Sequence, residues 1–232
     1  MNFAGNFRHI GEADLTDLRA RVSDLTDANW LEDQVRSKRY EVHKDTQFIG
    51  LVFDEDFRHL QATRRPALER FITALQPILG QIAEYYETSA ETQAKFENPV
   101  RGYFIRISLT KLVAGGKITE HRDLNFSLTH SHRVHIPIIT NDQVWFFVGD
   151  EKRNLHSGEI VEINNRRHHH VTNEGDEDRV HLILDFVLPW EPCCCAEKTH
   201  PGERCTPQAC METVMAKTPC DCFSESSEFQ LS

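Results

Sequence analysis

The stretch RVHLILDF, residues 179–186, sets the pattern on which the fold prediction rests. Its even positions are all apolar. Side chains of a β-strand point alternately to the two faces of a sheet, so these four side chains belong to a core. The odd positions, which include Arg179 and His181, then point to the opposite face. This strand therefore predicts a sheet with one apolar and one polar face.

Two earlier segments show the same alternation. In residues 103–110, YFIRISLT, one set of alternate positions is apolar and the other ends in Ser108 and Thr110. In residues 133–138, RVHIPI, Arg133 and His135 share the face opposite three apolar side chains. The two arginines and the two histidines of these strands are thus predicted to line one cavity, and two inward arginines imply an anionic guest. The alternative is that acidic neighbours such as Asp123 or Asp185 neutralise the arginines.

The rest of the chain predicts helices first and many strands later. Residues 14–31 and 66–82 carry apolar side chains at helical spacing, and Pro77 is expected to kink or split the second helix. Residues 40–53 are predicted to form a strand in which His43 and Gln47 share one face. Short strands separated by turn residues fill the chain from residue 100 onward. This order predicts a mainly β fold, a jelly roll with the N-terminal helices packed on one sheet.

A separate set of residues has the composition of a metal site. His121-Arg122-Asp123 is an H-x-D pair, and His169 follows 46 residues after the aspartate. Two histidines and one carboxylate are the ligands of non-heme iron sites. An isolated H-x-D pair is often a solvated turn, but nine of the thirteen histidines lie between His121 and His181, which favours a site. In extended chain either His169 alone points inward, or His168 and His170 do.

Composition limits the other possibilities. The 232 residues carry a formal charge of -10, which argues against nucleic-acid and anionic-membrane partners. The chain shows neither a secretion signal nor a membrane span, so a cytoplasmic location is expected. All seven cysteines lie at or beyond Cys193. We therefore expect a domain at 1–190, with its core motifs at 100–189, and a Cys-rich tail at 191–232 that binds a soft metal, acts in redox control, or is an unstructured extension.

Three segments together resemble a known family. They are LTKLVAGGKITEHRD (109–123), HRVHIPI (132–138) and GEIVEINNRRHHHVTNEGDEDRVHLILDF (158–186). The pattern resembles the aspartyl/asparaginyl beta-hydroxylases, which include bacterial proline cis-4-hydroxylase-like enzymes, over residues 105–189. Members are Fe(II)- and 2-oxoglutarate-dependent oxygenases on a double-stranded β-helix of the jelly-roll, cupin-like kind.

The resemblance implies a role for individual residues. It implies iron binding by His121, Asp123 and His169, and a clamp on the distal carboxylate of 2-oxoglutarate by Arg179. It also implies co-substrate contacts by the following residues: Thr110 near that carboxylate, and Arg133 and His135 at the other end. From the strand pattern alone, direct metal ligation by His135 or His181 is not expected.

The resemblance further implies a hydroxylase that uses oxygen to attack an unactivated C–H bond of an amino acid, free or in a peptide or protein. Animal members have glycine where this chain has Asp123, which resembles the proline hydroxylase-like branch, and they carry a preceding helical repeat domain that is not expected here, so their substrates are not assumed for this chain. Substrate contacts are expected at the cavity mouth, from Arg36, Arg39, His43 or Gln47. Two alternatives stay open: a non-catalytic metal-binding or sensor barrel with a Cys-rich responsive tail, and a cupin-type isomerase.

Overall fold

The computed structural model describes residues 3, 5–32, 40–55, 62–123, 126–129 and 131–188. The strands are β1 (Phe7–Glu12), β2 (Thr46–Asp54), β3 (Ala62–Arg64), β4 (Tyr103–Leu112), β5 (Lys117–His121), β6 (His132–Ile139), β7 (Val144–Val148), β8 (Glu151–Arg153), β9 (Glu159–Ile163), β10 (His169–Asn173) and β11 (Arg179–Val187). The helices are α1 (Thr16–Ser23), α2 (Asp27–Leu31), α3 (Leu68–Thr88), α4 (Ala90–Lys95) and α5 (Phe126–Thr129), with a 3-10 turn at Glu41–His43.

The strands form two antiparallel sheets. The major sheet has the order β1-β9-β6-β11-β4-β2-β3, and the minor sheet has the order β5-β10-β7-β8. β11 lies in the middle of the major sheet, between β4 and β6. The mainly β, jelly-roll prediction is confirmed. None of the described helices combines the length and the apolar character needed to cross a bilayer.

The N-terminal helices cover the outer face of the major sheet, as predicted. The even positions of β11, from Val180 to Phe186, are at most 3% exposed and pack in one cluster with the apolar stripe of α3. Burying an aliphatic or aromatic side chain of this size contributes roughly 1.5–3 kcal/mol, so this layer is a main source of stability. Pro77 lies within α3, which continues as one helix and is not split.

The inner face of the major sheet is partly apolar and partly polar. A second, smaller cluster joins the two sheets, and it comprises Leu112, Val144, Phe146, Val148, Leu155, Val161, Ile163 and Val171. Beside this cluster the inner face carries arginine, histidine and aspartate side chains that are buried all the same. This buried polar area contains the site described below.

Two predicted elements differ from the structure. The helix expected at 14–31 is two helices, because the chain leaves helical geometry before Thr26, which begins α2 with a capping box. The strand expected at 40–53 begins only at Thr46. Gln47 pairs with Lys111 and lies on the face of Ile49, which belongs to the helix-side core, so Gln47 points away from the cavity.

Candidate metal centre

The three predicted metal ligands come together at one edge of the minor sheet. His121 ends β5 and His169 begins β10, and the two residues are direct partners in the antiparallel pairing. Asp123 follows two residues after the end of β5. The ligand atoms of the three side chains all lie within 4.8 Å of one another. Among the described residues, no other His, Cys, Asp or Glu group of three meets this criterion.

Both histidines are held with the same nitrogen free. His121 Nδ1 lies 2.7 Å from the carbonyl oxygen of Thr119, and His169 Nδ1 lies 2.9 Å from that of Arg167. A carbonyl only accepts, so each Nδ1 carries the proton and each Nε2 keeps a lone pair. Burial lowers the pKa of His169 to about 4, so that ring is neutral near pH 7. This is the state in which histidine binds a metal.

Asp123 is presented as an ionised carboxylate. Its Oδ2 accepts hydrogen bonds from Arg133 Nη1 at 2.8 Å and Asn165 Nδ2 at 3.1 Å. Burial by itself would raise the pKa of Asp123, but Arg133, with smaller contributions from His169, His121 and the hydrogen bond of Asn165, outweighs it, and the pKa lies below its ordinary value. A buried, ionised carboxylate beside two imidazoles that each present Nε2 is suited to a divalent cation.

Arg133 is fully engaged by acidic side chains. It makes a forked pair with Asp185, with Nε to Oδ1 and Nη2 to Oδ2 both at 2.8 Å, in addition to its bond to Asp123. Burial alone would lower its pKa, but the two carboxylates raise the pKa above the ordinary value. The alternative considered for the arginines, neutralisation by acidic neighbours, therefore applies to Arg133. Its contact with a co-substrate stays a prediction.

Arg179 is the opposite case. The side chain is 1% exposed, and its Nε and Nη1 have no hydrogen-bond partner among the residues that the structure describes. Burial lowers its pKa to about 9, and no acidic group counteracts this. Because buried arginine is rarely unpaired and each orphaned donor costs about 1–3 kcal/mol, this position calls for an anionic partner from outside the described residues.

The neighbours of Arg179 leave further polar atoms without partners. Thr110 Oγ1, His135 Nε2 and His181 Nε2 are all buried, and none has a hydrogen-bond partner in the described part of the chain. Thr110 is opposite His181 in the β4–β11 pairing, and the Nδ1 atoms of His135 and His181 lie 3.4 Å apart. Burial holds the pKa of both histidines well below the ordinary value, so both are neutral. These atoms can donate hydrogen bonds to, or accept them from, a polar ligand bound beside Arg179.

His135 links this polar pocket with the metal centre. Besides burial, its pKa is lowered by the charges of Arg133, Arg179 and His169. Those residues lie in both halves of the site, so the two halves are within electrostatic reach of each other. His135 also shares its face of β6 with Arg133, which contacts Asp123.

Comparison with known proteins agrees with this site. Residues 81–189 match the model of the aspartyl/asparaginyl beta-hydroxylases. The match spans 109 of the 232 residues, so the chain is similar to this family over just under half of its length. The matched segment contains all three metal ligands and the four residues predicted to bind the co-substrate. This match supports an oxygenase enzyme, for which the matched family implies Fe(II), 2-oxoglutarate and oxygen, and the donor set of the site fits that metal and a dicarboxylate.

The solved structures that are similar to this chain have low sequence identity to it. One is a 2OG-Fe(II) oxygenase family oxidoreductase from Burkholderia pseudomallei, with 15% identity and a TM-score of 0.48, covering 80% of this chain and 95% of that one. Another is a cupin domain from Bordetella pertussis, with 16% identity and a TM-score of 0.30, covering 36% and 82% respectively. A search of curated proteins gave no match.

Strand pairing decides which residue of the histidine triplet at 168–170 points inward. His169 is 4% exposed and points inward, whereas His168 and His170 face outward, where their Nδ1 atoms lie 3.5 and 4.0 Å from the two oxygens of Glu120. His170 also stacks on Phe147 with ring centroids 4.1 Å apart. The outward pair thus belongs to the solvent-facing side of the minor sheet.

At the mouth of the site, the ring of His43 packs edge-on against that of His121, with centroids 5.8 Å apart. This places one predicted substrate contact beside a metal ligand. Arg36 and Arg39 lie outside the described residues.

Asn165, which contacts Asp123, was missed by sequence reasoning. Its only local signal is its position four residues before His169, in the turn between β9 and β10.

Proposed function

We propose that the protein is an Fe(II)- and 2-oxoglutarate-dependent dioxygenase that hydroxylates an unactivated C–H bond of an amino acid, free or within a peptide or protein. The observation that supports this most directly is Arg179. It is a buried cation without a partner in the described chain, and it lies on the same face of β11 as Asp185, whose partner Arg133 contacts the predicted metal ligand Asp123. A metal site alone does not require such a cation, but a dicarboxylate co-substrate does.

In this proposal His121, Asp123 and His169 hold the iron. Three protein ligands leave the remaining coordination positions for the co-substrate and oxygen. The chemistry that Fe(II), 2-oxoglutarate and oxygen supply is oxidative decarboxylation to succinate coupled to transfer of one oxygen atom into a C–H bond. The protein's own contribution is to position the reactants and to keep water out of a cavity walled by two sheets.

Arg179 would receive the distal carboxylate of 2-oxoglutarate. Its guanidinium offers a rigid fork of donors that matches a carboxylate, and charge-assisted hydrogen bonds of this kind are about twice as strong as neutral ones. Thr110 Oγ1 and the Nε2 atoms of His135 and His181 are the further groups available to co-substrate oxygens. Direct contact by Arg133 is the weakest part of the predicted set, because its described bonds go to Asp123 and Asp185.

The division of the chain and its substrate remain part of the proposal. Residues 1–190 are taken as the oxygenase domain and 191–232 as a Cys-rich tail, for which soft-metal binding is one proposed role. A small amino acid or an extended peptide would enter where His43 packs beside His121.

The test combines spectroscopy with product analysis. Anaerobic addition of Fe(II) and 2-oxoglutarate is expected to give a weak visible charge-transfer band, and admission of oxygen is expected to release succinate. A mass-spectrometric screen of amino acids and peptides should then find a product heavier by one oxygen, about 16 Da. A protein that binds iron but shows neither the band nor succinate would support the non-catalytic sensor instead, and turnover without oxygen would support the isomerase.

A further inference from the structure

We propose that Asn165 is a positioning residue of the metal centre, which fixes the carboxylate of Asp123 in the orientation that the metal requires. The inference rests on the proposed function and assigns to it a residue outside the predicted ligand and co-substrate set. Asn165 does not itself offer an atom to the predicted ligand group.

Asn165 contacts Asp123 through both its backbone and its side chain. Its carbonyl oxygen accepts from the Asp123 backbone N–H at 3.1 Å, and its Nδ2 donates to Asp123 Oδ2 at 3.1 Å. The same Nδ2 donates to the carbonyl oxygen of Leu128 at 2.8 Å. Asn165 therefore holds the chain at Asp123 and again five residues later, on either side of the segment that leaves the metal centre.

Asn165 is itself held firmly. Its side chain is 5% exposed, and its backbone N–H donates to the carbonyl oxygen of Ile163 at the end of β9 at 3.0 Å. A buried side chain on a fixed backbone has few rotamers available, so its amide can impose a direction on the group it contacts. The amide orientation follows from this network, since Leu128 O accepts and only the Nδ2 end can donate to it.

Two donors act on the same oxygen of Asp123. Arg133 Nη1 and Asn165 Nδ2 both donate to Oδ2. Rotation of the carboxylate about its Cβ–Cγ bond would break both hydrogen bonds. Arg133 supplies a positive charge that keeps the carboxylate ionised, whereas the neutral amide adds direction without neutralising the ligand. Loss of such outer partners typically weakens metal binding by about 10–100-fold.

The chain offers a matched control in the adjacent residue. Asn164 is also buried, and its Nδ2 also donates two hydrogen bonds, to the carbonyl oxygens of Phe3 and Gly5 at 3.2 and 3.1 Å. It has no described contact with Asp123. Asn164→Ala therefore removes the same number of buried hydrogen bonds as Asn165→Ala without touching the metal centre.

The experiment measures Co(II) binding to the full-length metal-free protein by calorimetry, with Co(II) as a probe that does not oxidise in air as readily as Fe(II). Asn165→Ala and the isosteric Asn165→Asp are expected to weaken Co(II) binding by about 10–100-fold and to alter the visible absorption of bound Co(II). Asn164→Ala should bind Co(II) as the wild type does. Circular dichroism and melting temperature are measured for every variant.

The outcomes separate the inference from the proposed function. Co(II) affinity within about twofold of wild type in both Asn165 variants, or an equal loss in Asn164→Ala, overturns the positioning role and leaves the oxygenase proposal standing. Wild-type protein that fails to bind Co(II) overturns both. If Asn165→Ala does not fold, Asn165→Asp carries the comparison, since it keeps the side-chain volume while replacing the donor with an acceptor.

Discussion

Replacing Arg179 with methionine should stabilise the protein in the absence of ligands while abolishing 2-oxoglutarate binding. Arg179 is buried as a cation without a hydrogen-bonding partner for Nε and Nη1 in the described chain. Methionine keeps an unbranched side chain that fits irregular apolar space and removes the charge. A residue kept for function at the expense of stability is expected to show this combination.

The magnitude follows from the pKa of Arg179. Burial lowers it from its ordinary value to about 9, and at about 1.4 kcal/mol per pKa unit this corresponds to a penalty on the order of 5 kcal/mol. Relaxation and water entry reduce the gain, and substitutions of buried charges by apolar residues typically stabilise by about 1–4 kcal/mol. A gain of about 2 kcal/mol would raise the melting temperature by about 4–8 °C in a domain of this size.

The sign of the pH dependence provides a second check. The folded-state pKa of Arg179 lies below the unfolded value, so the unfolded protein binds the proton more tightly between about pH 9 and 12.5. Wild-type stability relative to Arg179→Met should therefore be constant near pH 7 and should rise as the pH increases above about 9.

The assay is thermal unfolding of wild type and variant, without ligands and with Mn(II) plus 2-oxoglutarate. At 100 times its Kd a ligand stabilises the folded protein by about 2.7 kcal/mol, so relative to Mn(II) alone wild type should gain this from 2-oxoglutarate and the variant should not. Arg133→Met is the matched control. This substitution leaves the carboxylates of Asp123 and Asp185 without their shared cationic partner. It is expected to destabilise the folded protein by about 3–5 kcal/mol. A ligand-free Arg179→Met that melts below wild type, or that gains equally from 2-oxoglutarate, would refute the reasoning.

Three further predictions concern stability and domain limits. Because burial holds the pKa of His135 and His181 well below their ordinary values, the metal-free protein should lose stability as the pH falls below about 6.5, and His181→Gln should reduce that loss in thermal melts. Gly102→Ala should lower the free energy of unfolding in urea by about 1–3 kcal/mol, since the added Cβ would overlap the ring of Phe186. Gly80→Ala, on the exposed side of α3, should instead raise it by up to about 1 kcal/mol. A chain ending at residue 190 should fold and bind 2-oxoglutarate like the full chain; loss of binding would contradict the proposed domain limit.

The directions of the cavity-lining side chains were predictable because alternation is a local property of strands. Arg179 and His181 were expected inward from eight residues of β11, and the core cluster confirms that the even positions face the helices. The partners of the inward groups were not predictable. Arg133 and Arg179 follow the same rule, but only the pairing of β6 with β11 brings Asp185 opposite Arg133.

Other features required long-range pairing or exact boundaries. Alternation left two orientations for residues 168–170, and the pairing of His169 with His121 decides between them. The contact of Asn165 with Asp123 joins residues 42 positions apart through a turn, which no periodic pattern reports. Alternation continued backward from the apolar run of β2 places His43 and Gln47 on one face. The chain does not follow this pattern, because it forms a 3-10 turn at Glu41–His43.

The charges of the buried cavity explain why metal and co-substrate should bind together. At the metal end, Arg133 faces the two carboxylates of Asp123 and Asp185, which leaves one negative charge in excess among these three groups. At the other end Arg179 leaves one positive charge. A divalent cation beside the first and a dicarboxylate dianion beside the second make the cavity neutral as a whole, whereas either alone leaves a buried net charge, which is costly at low dielectric. Titration with 2-oxoglutarate should thus show clearly weaker binding to the metal-free protein than to the Mn(II) form, and equal affinity for both would contradict this account of the charges.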